Sequence, residues 1–500
     1  MTNELGQRNI IVSTGIVTPF AKLRFTLLNR SCGVTNMFVG REYELNVLNK
    51  RFNSGRFEFI PIYGRRRVGK TALIREFVKD KKAVFFTATE SGGNRNLRGL
   101  SSAIYETASG VQANLTYSDY EAALDAVFDI AVKEKLVFVI DEYPYLAESY
   151  SAVSSILQMY IDQKYKDTDL FLILCGSSMS FMENQVLGYK SPLYGRRTGQ
   201  LRVAPFDFRD SSRFHKSFSK EEQAVIYGIT GGIPKYLEMM DDKRSLKENI
   251  IGSFLTADSM LFEEPSNLLK QELREPQTYN DILTAIADGS SRMNEIVTKT
   301  GIVGFDSSKC NKYLRSLISL DLVKRELPAF EPNSKKSIYR VKDGMFRFWY
   351  RFVATNVTSV QLGLGDAVYK RIEPHIPAFM GEVFEEICKQ WLWGENIANR
   401  LPFSFRDFGR WWGTDPVRKQ EAEVDILAAD DVRSSAILCE CKWTNDKVDG
   451  RVVRALLSKA ELFNFGEKYF LLFSRSGFKD DAKKMANDRI RLVEFSDMYA

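Results

Sequence analysis

The sequence predicts an α/β protein whose first domain is built on a parallel β-sheet, and three stretches carry this prediction. Residues 59–63 form a short apolar run, and the pattern Gly-x-x-x-x-Gly-Lys-Thr follows at 64–71 before an apolar-periodic helix start. Residues 136–140 are apolar and end in Asp141 and Glu142, and residues 170–174 end in small polar residues. Continuous apolar runs of this kind are typical of parallel strands that are covered on both faces.

Length and composition describe an ordinary multidomain chain. Its 500 residues predict three or four domains. The net charge of +6 is small for this length and does not by itself indicate nucleic-acid binding. Six cysteines without metal-type spacing and only two histidines do not support a zinc site. We therefore expect a reducing, cytoplasmic location, and no apolar run is long enough to predict a transmembrane helix.

The N-terminal residues 1–36 contain short apolar patches without a clear period, and these patches are too short for the core of a signal peptide. A strong pattern begins only at Met37. Two interpretations stay open. Met37 is the functional start and the preceding residues are a dispensable extension, or these residues form an element that packs on the core.

The pattern at residues 64–71 predicts a P-loop that cradles phosphate. Gly64 and Gly69 free the backbone so that consecutive N–H groups turn inward, and the helix beginning near Lys70 adds partial positive charge. Lys70 would reach the β- and γ-phosphates, and Thr71 would ligate Mg²⁺, which predicts ATP and Mg²⁺ as cofactors. The other expected nucleotide-binding residues are Arg65, Arg66, Arg67, Val68 and Ala72. The motif leaves the three arginines unexplained, and they would face a partner surface or solvent.

Acidic and small polar residues follow the other predicted strands of this sheet. Asp141 is expected to hold Mg²⁺ through its water shell, and Glu142 to polarise the attacking water. Since parallel strands deliver their carboxyl ends to one edge, Ser177 or Ser178 is expected there to sense the γ-phosphate or orient water, with a plain turn as the alternative. Arg196 is a candidate for the arginine that stabilises the transferred phosphoryl group, although surface arginines are common.

Helical patterns follow this core. Residues 220–270 predict a small helical lid on the nucleotide. From residue 279 onward three helices, the third capped by Ser307-Ser308, and a hairpin over residues 322–341 predict a winged helix. The winged helix carries basic residues on its third helix and its wing, namely Lys309, Lys312, Arg315, Lys335 and Lys336. DNA binding would use this face, and intramolecular packing against the ATPase is held as an equal alternative.

The segment 344–352 is densely aromatic with interleaved arginines. Aromatic side chains next to arginine can form a stacking surface for nucleic-acid bases. So dense a run nevertheless favours burial between domains. Further on, Gly381 is expected to open a helix.

Two predicted strands near the C-terminus bring acidic residues together. Residues 421–428 and 436–443 are expected to pair through a polar turn, and period-2 geometry places Glu440 and Lys442 on one face. A turn centred near residues 432–433 places Asp425 almost opposite Glu440, where two carboxylates repel. A Mg²⁺ ion held by both carboxylates would remove that penalty, and Lys442 would position or deprotonate water.

The first part of the chain resembles a known family. The segments 39–42, 64–71, 140–144, 175–178 and 195–196 resemble those of the archaeal-type P-loop ATPases of the AAA+/STAND group. The resemblance covers roughly residues 37–345. It places the Gly-Arg-Glu box near the adenine, so Phe38, Val39 and Arg41 are implied nucleotide contacts. Residues 230–236 resemble the lid motif of that family, which implies Pro234 as a nucleotide neighbour.

The C-terminal pattern resembles the PD-(D/E)xK nuclease superfamily, in the DUF234-type form often fused to these ATPases. Asp425 matches the first acid, Glu440–Lys442 matches the Glu-x-Lys, and Glu385 matches the helical acid of a Gly-x-x-Phe-Glu pattern. Val424 stands where the superfamily has a proline. The resemblance covers about residues 375–475 and implies a restriction-endonuclease-like α/β domain, of which inactive or regulatory copies share the same pattern.

Taken together, the chain is expected to contain an N-terminal extension (1–36), a P-loop ATPase core (37–210), a helical lid (211–275), a winged helix (276–343) and a nuclease-like domain (344–500). We expect an ATPase whose nucleotide state controls a Mg²⁺-dependent DNA-cleaving or DNA-binding domain. The alternative is a nucleotide-dependent switch that binds DNA or protein, with an inactive nuclease-like domain. DNA is the expected partner and no membrane is expected, while a protein partner and homo-oligomer formation stay open.

Overall fold

The computed structural model describes residues 38–112, 114–334 and 336–499. The predictions for residues 1–36 and for Lys335 lie outside this part of the chain. The residues from Gly40 onward form one structural unit, which contains both β-sheets and the hairpin.

The first part of this unit alternates strands and helices. Its elements are α1 (Glu42–Phe52), β1 (Glu58–Tyr63), α2 (Lys70–Val78), β2 (Ala83–Thr87), α3 (Gly93–Ser109), α4 (Tyr120–Lys133), β3 (Val137–Asp141), α5 (Tyr143–Ser149), α6 (Val153–Gln163), β4 (Phe171–Gly176), α7 (Met179–Phe181), β5 (Leu201–Arg202) and α8 (Phe208–Ser212). The apolar runs of the sequence thus form the strands that they predict.

The first sheet has the strand order β2-β3-β4-β1-β5, and all of its pairs are parallel. Every residue of β1, β3 and β4 is buried, because helices cover both faces of the sheet. β4 lies between β1 and β3, so the ends of these three strands meet at one edge. The P-loop, the Asp141-Glu142 pair and Ser177 therefore share that edge.

Helices make up the middle of the chain. The lid consists of α9 (Lys220–Thr230), α10 (Pro234–Leu237), α11 (Leu246–Phe254) and α12 (Met260–Glu272). The winged helix consists of α13 (Pro276–Ala287), α14 (Met293–Thr300), α15 (Ser307–Ser319) and the antiparallel strands β6 (Val323–Glu326) and β7 (Ile338–Val341). Ser307 was expected to cap α15, but Asp306 holds that position and accepts a hydrogen bond from the Lys309 N–H at 2.8 Å.

The C-terminal part combines a helical layer with a second sheet. Its elements are α16 (Gly344–Phe348), α17 (Val357–Gln361), α18 (Gly365–Ile372), α19 (Ile376–Ile397), β8 (Phe408–Asp415), β9 (Gln420–Ala429), β10 (Ser435–Lys442), α20 (Gly450–Lys459), β11 (Glu467–Ser474), α21 (Asp480–Lys483), β12 (Ile490–Glu494) and α22 (Phe495–Met498). Gly381 lies inside α19, which begins five residues earlier than the sequence pattern indicates.

The second sheet is mixed, with the order β12-β11-β10-β9-β8. β8, β9 and β10 pair antiparallel, and β10, β11 and β12 pair parallel. Core residues of α19 pack on one face and those of α20 on the other. A register shift separates the Gly409–Leu427 pair from the Trp411–Val424 pair, so β9 holds one extra residue beside Asp425. Such bulges re-aim side chains and are frequent next to functional sites.

The aromatic segment around α16 is core, as its density favours. Phe346, Phe348, Trp349, Tyr350 and Phe352 are all buried, and Trp349 donates a hydrogen bond to the Phe262 carbonyl oxygen at 2.8 Å. This packing ties the start of the C-terminal part to the lid. A stacking surface for nucleic-acid bases therefore does not form here.

Among the described residues, no helix is both long enough and apolar enough to span a membrane. The five cysteines within the described ranges carry free thiols.

Candidate functional site

The P-loop forms the predicted cradle between β1 and α2. A Cβ on Gly64 would lie 2.3 Å from the carbonyl oxygen of Val203, so only glycine allows the loop to pass this backbone. Gly69 has a φ of +87° and directly precedes α2. The loop therefore leads directly into the amino end of α2, where the helix dipole favours an anion.

Lys70 and Thr71 occupy the start of α2 as the motif predicts. The Nζ atom of Lys70 donates hydrogen bonds to the carbonyl oxygens of Gly64 and Arg65 at 2.8 and 3.0 Å. Burial lowers the pKa of Lys70, against the charges of the neighbouring acids. Thr71 Oγ1 donates to the Asp141 carboxylate at 2.8 Å. A hydroxyl and a carboxylate held this close supply the oxygen ligands that Mg²⁺ prefers, so these two residues fit the ion.

Glu142 lies at the same edge and is held by the neighbouring strand. Its Oε2 atom accepts hydrogen bonds from the Ser177 hydroxyl at 2.8 Å and from the Ser177 N–H at 3.2 Å. The structure therefore brings Ser177, rather than Ser178, to the predicted water-activating acid.

Arg41 and Pro234 border the P-loop. The Arg41 guanidinium donates to the carbonyl oxygens of Val68 and Ala204 at 2.9 and 2.7 Å, and it lies over the Phe206 ring at 4.2 Å. Arg41 thereby braces the loop from outside. Pro234 Cγ lies 3.7 Å from the position that a Cβ on Gly69 would take. The nucleotide contacts expected for Phe38 and Val39 stay predictions.

The three arginines inside the P-loop contact acidic residues far along the chain. Arg65 forms a buried ion pair with Asp343, which precedes α16. Arg66 Nε lies 3.0 Å from the Glu272 carboxylate of α12. The expectation that these arginines face solvent or a partner is therefore wrong for Arg65, which is buried, whereas Arg66 keeps 32% of its side chain exposed.

Arg67 completes this set. Its Nη1 atom lies 2.7 Å from the Glu264 carboxylate, and its guanidinium lies over the Tyr236 ring at 5.8 Å. Burial raises the pKa of Glu264 and of Glu272, against the lowering effect of the arginines. The two acids of α12 are thus poorly solvated and depend on the P-loop arginines for compensation.

Arg196 is not brought to the P-loop. Its guanidinium pairs with the Asp162 carboxylate, with Nη2 to Oδ2 at 2.5 Å, and Nη1 donates to the Pro192 carbonyl oxygen at 2.9 Å. The nearby Thr198 N–H donates to Phe59, near the start of β1. Arg196 therefore lies at the amino edge of the sheet, opposite the P-loop, and cannot reach the phosphates of its own chain in this arrangement.

The C-terminal acids converge as the strand pairing predicts. The observed register pairs Ile426 with Cys439, which places Asp425 opposite Glu440. Asp425 Oδ2 accepts a hydrogen bond from the Cys441 N–H at 2.7 Å. Glu440 accepts hydrogen bonds from Lys442 at 2.5 Å and from Lys459 of α20 at 2.8 Å. Sequence reasoning missed Lys459, because nothing in the local pattern of α20 indicates this contact.

Glu385 of α19 belongs to the same cluster. Burial and the Asp425 charge raise the pKa of Glu385 to about 8. Burial and the Glu440 charge raise the pKa of Asp425 to about 6. For Lys442, burial opposes the cation, but the charge and hydrogen bond of Glu440 together with the Asp425 charge raise its pKa overall. A firmly protonated Lys442 favours positioning of water over deprotonation, which the sequence left open.

The fit of this cluster to a metal ion follows from its chemistry. Glu385, Asp425 and Glu440, the carboxylate cluster, offer the oxygen atoms that Mg²⁺ requires, and their mutual repulsion would fall on binding it. Within the described ranges, however, no group of three or more acidic, histidine or cysteine side chains is already arranged around a metal position. Two lysines neutralise Glu440 instead.

The basic face of the winged helix is exposed. Lys309, Lys312 and Arg315 of α15 and Lys336 of the wing all face solvent. On the opposite side of the hairpin, Arg340 of β7 pairs with Glu382 of α19 at 3.0 Å. Arg340 was missed by sequence reasoning, since only the tertiary packing brings β7 to α19.

Comparison with known proteins divides the chain into two matched parts. Residues 38–240 match the family described as an ATPase domain predominantly from Archaea. Residues 349–453 match a family of archaeal and bacterial proteins of unknown function, DUF234. An uncharacterized protein of Methanocaldococcus jannaschii is 35% identical over 446 residues, which cover 88% of this chain and 96% of that protein. An uncharacterized ATP-binding protein of the same organism is 50% identical over 46 residues, 9% of this chain and 78% of that protein.

Two solved structures are similar at low sequence identity. The Walker-type ATPase of Pyrococcus abyssi has a TM-score of 0.47 and 20% identity, and the match covers 63% of this chain and 96% of that one. The Aeropyrum pernix ORC2 protein in its ADPNP–ADP complexes has a TM-score of 0.45 and 15% identity, with 66% and 98% of the two chains covered.

Proposed function

This chain belongs to the family of predominantly archaeal ATPases that carry a C-terminal DUF234 domain, and from this premise we propose that its nucleotide state controls how its C-terminal part handles DNA. The observation that carries the proposal is the set of ion pairs between the P-loop arginines and acids outside the ATPase sheet. The nucleotide site and these pairs share the same eight-residue loop.

ATP binding and hydrolysis use the P-loop edge of the first sheet. Lys70 and the loop N–H groups would bind the phosphates, and Thr71 and Asp141 would hold Mg²⁺, which would neutralise charge on the transferred phosphoryl group. Glu142 orients the attacking water, and Ser177 fixes Glu142. Lys70→Ala should abolish ATP hydrolysis, whereas Lys79→Ala, an exposed lysine just after α2, should leave it unchanged. Undiminished turnover in Lys70→Ala would overturn the assignment of this site.

Nucleotide control follows from competition for the loop arginines. A nucleotide bound in the P-loop places several phosphate charges beside Arg66 and Arg67, which now pair with Glu272 and Glu264. Arginine binds phosphate oxygens strongly, so the nucleotide would draw these side chains away from α12. Since both acids are poorly solvated, loss of their partners would favour movement of the lid.

A short series of contacts connects the P-loop to the carboxylate cluster. Arg65 pairs with Asp343, and Asp343 accepts a hydrogen bond from the Phe346 N–H at 2.7 Å, which caps α16. From α16, Arg347 donates to Glu382 of α19 at 3.3 Å. Glu385 follows one turn later on the same helix. A shift of α16 would therefore displace a member of the carboxylate cluster.

The proposed nucleotide control is tested with glutamine variants, which remove the negative charge of the two acids and keep the shape of their side chains. In the double variant Glu264→Gln with Glu272→Gln, we expect tighter ATP binding and a DNA-directed activity that no longer depends on nucleotide. Glu263→Gln, an exposed acid on the same helix, is the matched control. If the double variant keeps both the affinity and the nucleotide dependence of the wild type, the control mechanism fails.

For the C-terminal part, we propose Mg²⁺-dependent cleavage of DNA at the carboxylate cluster. Asp425 and Glu440 would hold the ion, which would activate water and neutralise charge on the phosphodiester. Glu385 would supply a third carboxylate beside them. Lys442 would position the water. Support comes from the convergence of these four residues beside a bulge in β9 and from the exposed basic face of α15.

One observation favours a second candidate, a nucleotide-dependent DNA-binding switch that does not cut. Lys442 and Lys459 both neutralise Glu440, which leaves one charged carboxylate fewer for a metal ion. Purified protein incubated with supercoiled plasmid and Mg²⁺ or Mn²⁺ separates the candidates. Nicking that is lost in Asp425→Ala and in Lys442→Ala supports the nuclease, and Asp446→Ala, at an exposed position after β10, is the control. Absence of cutting with intact DNA binding supports the switch.

A further inference from the structure

A second cleft, of about 650 Å³, lies between the winged helix and the C-terminal sheet. One wall is formed by the start of α14 and by β7, and the other by β8 and β9. The side chains that matter for its chemistry are Arg292, Lys336, Arg340, Arg410, Trp412 and Glu423. The exposed face of α15 does not contribute to it, and Lys336 is the residue of the expected winged-helix DNA surface that also lines this cleft.

The charge of this cleft is positive. Four cationic side chains line it against the two acids Glu421 and Glu423. Arg292 lies 3.8 Å from Glu421, a distant and solvent-exposed pair that contributes little. Lys336 is exposed at the rim. A polyanion therefore meets an attractive surface here.

Arg410 gives the strongest indication of a ligand. Its side chain is only 15% exposed and pairs with Glu423 through Nη2. Its Nε and Nη1 atoms are buried and have no hydrogen-bond partner among the residues that the structure describes. A guanidinium with two buried, unsatisfied donors is costly, and a phosphate oxygen that accepts from one of them when the side chain turns toward the cleft would lower that cost.

Trp412 stands beside this guanidinium on the same strand. It is half-buried in the cleft wall and pairs with Glu423 across β8 and β9. An indole ring next to cationic side chains is the arrangement on which nucleic-acid bases stack. A base in a duplex has both faces covered by its neighbours, so only an unpaired base can stack on this ring.

The cleft leads to the carboxylate cluster. Glu423 of the cleft wall precedes Asp425 by two residues on β9. Arg340 lines this cleft and also the neighbouring cavity of about 410 Å³, whose wall includes Glu385. A nucleic-acid strand that is bound at Trp412 therefore lies close to the carboxylate cluster.

We propose that this cleft seats a single strand of nucleic acid, with its backbone on Arg410 and Arg340 and an unpaired base on Trp412, and guides it to the carboxylate cluster. The proposal rests on the proposed function in that the cluster is the destination of the strand. It adds the form of the substrate, which is single-stranded, and the surface that selects it.

The test is binding of fluorescein-labelled oligothymidine and oligouridine of about 12 nucleotides, followed by fluorescence anisotropy in EDTA so that no cleavage occurs. Trp412→Ala should weaken binding of the strand about tenfold, since one base–aromatic stack is lost. Trp412→Phe should restore most of the affinity. Lys336→Glu changes an exposed side chain and does not disturb the core, and it should also weaken binding of the single strand.

Matched variants separate this cleft from other surfaces. Arg406→Ala, an arginine of the same domain that is 84% exposed, should leave strand binding unchanged. Lys312→Ala on α15 should weaken binding of a duplex of the same length and leave binding of the single strand unchanged. Preference for oligothymidine or for oligouridine identifies DNA or RNA as the source of the strand, and either one supports the cleft.

Failure of the cleft and failure of the proposed function give different results. If single-strand binding depends on Trp412 but the protein never nicks DNA, the proposed role of the cleft is supported and the proposed nuclease activity is rejected. Nicking with strand affinities that are equal in wild type, Trp412→Ala and Lys336→Glu overturns the cleft alone. Equal melting temperatures of these variants and of the wild type establish that the comparison is between folded proteins.

Discussion

The Oε2 atom of Glu142 accepts both hydrogen bonds that Ser177 can donate, from its N–H and from its hydroxyl. These bonds join the ends of β3 and β4, the two strands on which the acid and the serine lie. Glu142 itself has a φ of 52°, which is unusual for a residue with a Cβ. A backbone in this conformation, together with two hydrogen bonds, fixes the carboxylate beside the P-loop.

Ser177→Ala should therefore reduce kcat for ATP hydrolysis about tenfold while the KM for ATP changes little. The hydroxyl contributes to the orientation of Glu142, and a misplaced acid no longer aligns the attacking water. The remaining Ser177 N–H bond, which alanine keeps, limits the loss. Steady-state release of phosphate measures both constants.

Ser178→Ala is the control for this prediction, since the Glu142 hydrogen bonds come from Ser177 alone. We expect its kcat to match the wild type. A larger loss of kcat in Ser178→Ala than in Ser177→Ala would mean that Ser178, and not Ser177, helps to orient the attacking water. It would contradict the role given to the two Ser177–Glu142 hydrogen bonds.

The buried pair between Arg65 and Asp343 makes a second prediction. Asparagine caps helices about as well as aspartate, so Asp343→Asn keeps the cap of α16 but leaves the Arg65 charge unpaired. We expect amide exchange in α16 to accelerate by about 100-fold, which corresponds to roughly 3 kcal/mol of lost protection. Hydrogen–deuterium exchange followed by mass spectrometry measures this region directly.

Asp306→Asn provides the comparison, because Asp306 caps α15 in the same way but at an exposed position. Its effect on exchange in α15 should stay small. Similar losses in both variants would mean that the negative charge at the helix cap, and not the ion pair with Arg65, holds α16.

The sequence predicts best where local spacing determines the geometry. The strands of the first sheet, the P-loop and the pairing of Asp425 with Glu440 all follow from apolar runs, the position of a turn and the period of two. The bulge in β9 beside Asp425 leaves this pairing intact, since it lies on the side of β8.

Contacts between distant segments could not be predicted in this way. Arg65 and Asp343 are 278 residues apart, and no local pattern marks them as partners. Arg196 follows a glycine in a suitable motif, yet Asp162 holds it at the other edge of the sheet. Lys459 reaches Glu440 of the carboxylate cluster, and Arg340 reaches Glu382 one turn before Glu385, only because α20 and β7 pack there. Tertiary packing decides all of these cases.

The placement of Arg196 gives a third prediction. Arg196→Ala should leave kcat within about twofold of the wild type at protein concentrations where the chain is monomeric, since it loses only a partly exposed ion pair. The assay is ATP turnover over a range of protein concentrations, with Lys70→Ala as the inactive reference. A loss of 100-fold or more in the monomer would show that Arg196 reaches the phosphates of its own chain after a rearrangement.

The raised pKa of Glu385 makes stability depend on pH. Folded Glu385 titrates at about 8, whereas its ordinary value is 4.5, so between these values the folded state holds a proton that the unfolded chain has released. The free energy of unfolding therefore falls as pH rises through this window. Asp425, with a pKa of about 6, adds a loss of the same sign at lower pH.

Glu385→Gln should remove this loss, because the amide stays neutral at every pH. We expect the variant and the wild type to melt alike near pH 4, and the variant to be more stable by roughly 1–3 kcal/mol near pH 9, allowing for partial solvent screening. Glu373→Gln, before α19, is the control and should follow the wild type. Saturating Mg²⁺ should raise the wild-type melting temperature at pH 9 more than that of Glu385→Gln, because the ion offsets a repulsion that only the wild type has. Parallel melting curves from pH 4 to 9 for both proteins would show that Glu385 is not held in a charged cluster.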